Sequence, residues 1–169
     1  MVWSFVNISG SLWLYFIILS VIQCVLWMGD LNFRITKDSG IQWNSHPHGL
    51  SSSDIENIIK SDELAIIRKK ELAFTAFSEA PIKFAPTYKF EIGTNNYVAD
   101  RIPSYTDRIL FWTKQTSWLE CTSYNSIHKE SQSDHRPVYA TFQARTIVEI
   151  PKQQRYPYFL KTEKTCSLS

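Results

Sequence analysis

The sequence predicts an α/β layered domain, and three features of its patterning carry that prediction. Apolar runs of strand length occur at Val25–Met28 and Ile109–Trp112, a stretch of helical period lies between them, and Val138 to Ala144 alternates apolar with polar positions. Val25-Leu26-Trp27-Met28 stops at Gly29-Asp30, as a fully buried strand running into a loop would. Ser51 to Asp54 supplies N-cap residues, after which Ile55, Ile58, Ile59, Leu64, Ile67 and Leu72 recur at helical spacing through a charged background, enough for two helices. Phe84 to Ile92 reads as extended, closed by the turn signal Gly93-Thr94-Asn95-Asn96. Val138, Ala140, Phe142 and Ala144 alternate with Tyr139, Thr141 and Gln143 as a half-covered strand does, and beyond Pro151 the chain turns polar and basic.

Composition narrows the class. With 169 residues, 44% hydrophobic and 20% charged, the chain is the size of one domain and can bury a core. A net charge of +2 excludes the strongly basic nucleic-acid binder and the acidic disordered tail. Cys24, Cys121 and Cys166 are too scattered for a disulfide framework or a zinc site, which predicts a reducing compartment. Met1 to Gly29 lacks any charged residue or histidine, but if Cys24 to Met28 is a strand, the apolar run left is Leu12 to Gln23. That is short of the roughly 20 residues a bilayer span needs, and no basic segment precedes it as in a secretory signal. Residues 1–23 are therefore expected to be an apolar leader outside the domain, 24–148 the domain and 149–169 a polar tail.

Three clusters could carry chemistry, each where a strand meets a loop. In Trp27-Met28-Gly29-Asp30-Leu31-Asn32-Phe33-Arg34, residues at spacing two share a face of an extended chain, so Asp30 and Asn32 are expected to point at one target. The competing reading is that both are ordinary turn formers. In Pro103-Ser104-Tyr105-Thr106-Asp107-Arg108, Asp107 lies beside a buried run, where a carboxylate requires a partner. Ser133-Asp134-His135-Arg136-Pro137-Val138 offers an Asp-His pair ahead of a strand. A hydrolase of phosphate esters needs a base to orient water, a divalent cation and a protonated His held by Asp, and these clusters contain those residue types. His46 and His48 around Pro47, and His128, read as loop residues; Trp43, Trp112 and Trp118 read as packing.

Taken in order, WMGDLNFR, FAPTYKFEIGTNNY, RIPSYTDRIL and SDHRPV resemble the C-terminal half of the inositol polyphosphate 5-phosphatase catalytic domain, over about residues 25 to 147. Together with the terminal Cys166-Ser167-Leu168-Ser169, they look most like its prenylated members, which are associated with the primary cilium and Golgi. The resemblance implies a DNase I-like four-layered α/β sandwich, present here as a partial domain, and magnesium-dependent hydrolysis of the 5-phosphate of phosphatidylinositol 3,4,5-trisphosphate and 4,5-bisphosphate. By the same resemblance Asp30 would activate the attacking water and Asn32 would hold a phosphoryl oxygen, with Arg34 among the substrate-binding residues. Asp107 would orient His135, which donates to the scissile phosphate, and Asp134 would help organise the magnesium site. Tyr88, Lys89 and Arg101 match the family's recognition of the inositol 4-phosphate, although Ala99 stands where the family usually has Lys. The family's magnesium-binding Glu lies in the other half of its domain, so a truncated product, nearly inactive alone, is expected. Cys166 fits a C-a-a-X box favouring farnesyl, assisted by Lys161 and Lys164 on the cytoplasmic face of a membrane. The partners so implied are a phosphoinositide substrate and that membrane surface, with no nucleic acid, and the chain is expected to be monomeric. The competing functions are a catalytically inactive, lipid-anchored fragment, or another DNase I-like hydrolase such as an AP endonuclease or a sphingomyelinase.

Overall fold

Each of the two apolar runs read as strands finds the other. In a computed structural model, which describes residues 24–37, 41, 43, 50–129, 131–145 and the backbone alone of 165–168, β1 (Cys24–Asp30) pairs antiparallel with β2 (Asp107–Thr113). The register runs from Cys24 opposite Thr113 to Asp30 opposite Asp107, so the polar ends of both runs arrive together at one end of the sheet. β1 is half-buried along its length rather than fully buried. Leu26 and Met28 face the core, while Trp27 turns to the other side and meets Phe74 and Phe77 edge-on at 5.4 and 6.0 Å.

A second sheet has the order β3 (Leu119–Ser126), β4 (Val138–Arg145), β5 (Thr165–Leu168), again antiparallel. It lies against the first through Phe111 and Phe142, whose ring centroids are 5.2 Å apart, and through the Tyr124 hydroxyl, which accepts the Ile109 N–H at 3.3 Å. Ile35, Ile58, Phe84, Tyr105, Ile109, Leu119, Val138 and Phe142 form the buried core between them. As expected, β4 buries Val138, Ala140 and Phe142 and leaves the alternate positions more open. Two strands were not expected. β3 carries a register irregularity between Cys121 and Ser123 that breaks its alternation, and β5 lies inside the segment read as a tail.

The helices form where their caps dictate. Ser51 and Asp54 make a reciprocal capping box at the start of α1 (Ser52–Ile59), which buries Ile55 and Ile58. Asp62 caps α2 (Glu63–Lys69) by accepting the Ala65 N–H at 2.9 Å, and α2 buries Leu64. Leu72, placed on the helical stripe by its spacing, lies beyond the end of α2 and is 72% exposed. The Phe84–Ile92 stretch is extended with only isolated bridges, and Phe90 opposite Tyr97 closes a hairpin over Gly93, whose φ of 82° suits glycine. Trp43 packs edge-on against Tyr97, and Cys24 and Cys121 are half-buried thiols that burial pushes up in pKa. No helix among the described residues is long and apolar enough to cross a membrane. The leader 1–23, His46, His48, most of the tail and the Cys166 side chain lie outside what the structure describes.

Candidate active site

The first sheet's register builds the site. With Asp30 ending β1 opposite Asp107 at the start of β2, both carboxylates leave the sheet at the same end, and the Leu31 N–H extends the pairing by donating to the Thr106 carbonyl at 2.7 Å. Beyond that point the chain turns. Asp30 Oδ1 accepts the Asn32 N–H at 2.9 Å, and Asn32 sits at φ 58°, a left-handed conformation that Asn tolerates better than most residues. The expectation that Asp30 and Asn32 share one face of an extended segment is therefore corrected: Asp30 does form a turn, and this turn aims Asn32. Asn32 Oδ1 accepts a hydrogen bond from Arg34 Nη2, which leaves its amide NH2 as a donor.

The second limb comes from the loop before β4. His135 Nδ1 and Asp107 Oδ2 are 2.6 Å apart, with the two side chains only 16% and 8% exposed. The Thr106 hydroxyl donates to the same Asp107 oxygen at 3.0 Å and lies 3.4 Å from His135 Nδ1. Burial pulls the pKa of His135 down, but the hydrogen bond and charge of Asp107 outweigh it, with Asp30 and Asp134 adding to the effect, so the imidazole is held above its ordinary value. With Nδ1 committed to Asp107, Nε2 is the nitrogen that can give up a proton to a ligand.

Tyr88 joins the limbs. Its backbone exchanges hydrogen bonds with Ser104 at 3.1 and 2.6 Å and forms a bridge with His135. Its ring lies against the His135 imidazole at 4.4 Å between centroids, and the Arg34 guanidinium sits 4.5 Å from the same ring. Lys89 Nζ reaches Asp134 Oδ2 at 3.8 Å, each side chain about a third exposed, which makes it a weak surface pair. The structure thus gathers Asp30, Asn32, Arg34, Tyr88, Asp107 and His135, with Lys89 and Asp134 beside them. It does not bring Arg101 in: this exposed residue ends a turn on Val98, and among the described residues no hydrogen bond or ion pair ties its side chain to the others. Nor does any group of three or more His, Cys, Asp or Glu among the described residues converge to hold a metal ion.

Sequence reasoning missed two buried arginines. Arg136, 1% exposed, donates to the Ser133 and Thr94 carbonyls and covers the Phe90 ring at 3.9 Å, tying the His135 loop to the 90–97 hairpin. Arg108, 2% exposed, lies on the far side of β2 from His135. Both stand inside the quoted motifs, next to His135 and Asp107, which was the available signal.

The chain is similar to several known proteins. The profile of Endonuclease/Exonuclease/phosphatase family 2 matches residues 8–141. Phosphatidylinositol polyphosphate 5-phosphatase type IV of Mus musculus is 36% identical over 124 residues, which are 72% of this chain and 19% of the mouse protein. A phosphatidylinositol 4,5-bisphosphate 5-phosphatase of Saccharomyces cerevisiae is 37% identical over 144 residues, covering 78% of this chain and 14% of the yeast protein. The inositol polyphosphate 5-phosphatase domain of a synaptojanin, solved with inositol (1,4)-bisphosphate and a calcium ion, matches with a TM-score of 0.61 at 35% identity, over 72% of this chain and 34% of its own. A Cimex nitrophorin, solved as a ferrous NO complex, matches at TM-score 0.59 and 32% identity, over 71% of this chain and 41% of its own. The chain therefore spans a fifth or less of the two phosphatase sequences and well under half of either solved structure. Because the nitrophorin match shows that this fold also serves a different purpose, activity has to be argued from the site's side chains. The architecture is DNase I-like, and the chain belongs to the endonuclease/exonuclease/phosphatase family, where its relatives include inositol polyphosphate 5-phosphatases.

Proposed function

We propose that this chain carries a site for hydrolysis of the 5-phosphate of phosphoinositides, with phosphatidylinositol 3,4,5-trisphosphate and 4,5-bisphosphate as substrates. The observation that carries the proposal is the 2.6 Å contact between Asp107 and His135 at the sheet end where Asp30 also emerges. A carboxylate that fixes one imidazole nitrogen and favours its protonated form makes the other a proton donor to a phosphoryl oxygen. Asp30, exposed at the rim, is placed to orient a water, and the Asn32 NH2 is placed to donate to a second phosphoryl oxygen. Arg34, Tyr88 and Lys89 supply the cationic and hydroxyl donors that a further ring phosphate needs, without Arg101, which the structure leaves outside the cluster.

The synaptojanin domain holds calcium with its inositol bisphosphate. For this chain we propose magnesium, with Asp134 among the residues around it. Carboxylate oxygens suit that ion, although no group of three or more His, Cys, Asp or Glu among the described residues converges on one point. Farnesylation of Cys166 would place the chain as a monomer on the cytoplasmic face of a membrane, at the cilium or Golgi.

Among the described residues Asp30, Asp107 and Asp134 do not converge with other His, Cys, Asp or Glu as a metal cage, which favours one other reading, a lipid-anchored chain that binds phosphoinositide without cleaving it. Titrating the chain with inositol 1,4,5-trisphosphate and magnesium, while following both the His135 and Tyr88 resonances and released phosphate, separates the two. Hydrolysis requires shifts at both residues together with phosphate. Shifts without phosphate select the binding reading, and no shift at either residue refutes both.

A further inference from the structure

Behind the site lies a buried ion network that the proposed chemistry does not use. Strand alternation points Asp107 at His135 and Arg108 at the opposite face of β2. There Arg108 Nη1 donates to both oxygens of Asp62 at 3.0 and 2.9 Å, while Nε and Nη2 fork onto Glu79 at 2.8 and 2.9 Å. Asp62 is wholly buried and at the same time caps α2. Glu79 also receives the Tyr124 hydroxyl at 3.1 Å and Arg68 at 3.4 Å. Burial works against the charge on Arg108, and the Glu79 and Asp62 carboxylates overcome it, so the guanidinium stays charged in the interior. Arg108 thus ties β2 to the start of α2 and to the segment before Ala80, and Glu79 extends the network to β3 through Tyr124.

The same end of α2 holds the other limb of the site. Glu63 Oε2 accepts the Arg34 N–H at 2.8 Å, the Glu63 N–H donates to the Arg34 carbonyl at 2.9 Å, and Ile35 bridges to Asp62. Asp107 on one side and Asn32–Arg34 on the other are therefore both referenced to residues 62 and 63. Buried ion networks are poor sources of net stability, because desolvation offsets their attraction, and are better suited to fixing one geometry among several.

We infer that Arg108, Asp62 and Glu79 form a positioning unit that sets Asp107 against His135 and keeps the Asn32–Arg34 limb in register with them. A guanidinium fork fixes direction as well as charge, which a lysine ammonium cannot reproduce. The inference rests on the proposed 5-phosphatase reading only for its effect on rate, and its geometric content can be tested without turnover.

The test is NMR of the full chain with labelled histidine. The His135 Nδ1 proton, in so short a bond to Asp107, is expected to give a far-downfield resonance in the wild type. Arg108→Lys and Glu79→Gln are expected to broaden this signal or move it upfield at temperatures where circular dichroism shows the chain folded. Ile55→Ala, which weakens the core away from the network, is expected to keep it. If Arg108→Lys does not fold, Glu79→Gln decides, since it preserves shape and one acceptor. A signal unchanged in the folded Glu79→Gln chain overturns the inference, as does equal loss in Ile55→Ala or no such signal in the wild type. Where phosphate release is measurable, kcat should fall by up to about a hundredfold with KM little changed. An unaltered resonance with lost turnover would count against this inference, whereas a wild type that shows the resonance without turnover would count against the hydrolytic reading alone.

Discussion

Replacing Asp107 by Asn keeps the shape of the Asp107–His135 contact and removes its charge. The Asn oxygen can still accept from His135 Nδ1 and from the Thr106 hydroxyl, so what is lost is the charge assistance across a 2.6 Å bond whose side chains are 16% and 8% exposed. With so little solvent to screen it, a hydrogen bond to a charged group contributes about 1.5–3 kcal/mol, against about 1 kcal/mol for a neutral one. The substitution should therefore cost about 1–2 kcal/mol where the imidazole is protonated. His135 has its pKa raised in the folded chain, so this contribution is fully present below the ordinary histidine value of about 6.5 and fades as pH climbs through the raised folded value. Urea unfolding of both chains between pH 5.5 and 9 should show the difference largest at the acid end and shrinking toward the alkaline end. In the same variant, NMR titration should find the His135 pKa lowered, because burial then meets only the weaker pull of Asp30 and Asp134. A difference that stays constant with pH, or grows as pH rises, would refute the assignment of His135 as the protonated partner.

Other substitutions probe separate links. Asn32→Ala should destabilise by about 1 kcal/mol in urea because φ is 58° there, while Asn32→Gly should not, although both lose the bond to Arg34; equal effects would rule out the backbone argument. Ser51→Ala removes half of the capping box and should cost about 1 kcal/mol, read as faster amide exchange within α1. Ile58→Ala, at a wholly buried site, should cost about 2–5 kcal/mol, whereas Leu72→Ala, at 72% exposure, should change unfolding by no more than about 0.5 kcal/mol.

Local patterning made much of the fold legible. β1, β2 and β4 show as apolar or alternating runs, and the two helices show as capped stripes, because each signal is written in neighbouring residues. β3 escaped because Leu-Glu-Cys-Thr-Ser-Tyr-Asn-Ser is mostly polar and its irregularity near Cys121 destroys the period of two. β5 escaped because four residues, Thr-Cys-Ser-Leu, are too short a run to show a period until β4 offers them an edge. At the site, the demand of a buried carboxylate for a partner pointed to Asp107, the cluster before β4 offered His135 and the family resemblance paired the two, but spacing misjudged Asn32, since a turn rather than a strand orients it. The Asp62–Arg108–Glu79 network was invisible because its members lie 46 and 29 residues apart in sequence and meet only once α2 docks on β2.

The most direct measurement is position-resolved phosphate release from phosphatidylinositol 4,5-bisphosphate vesicles by the wild-type chain and by His135→Ala, with magnesium and with chelator. The account predicts release confined to the 5-position, slower than the roughly 1 per second common among enzymes, lost with chelator and reduced about a hundredfold or more without the imidazole. Release from another position, or release that survives His135→Ala unchanged, would contradict it.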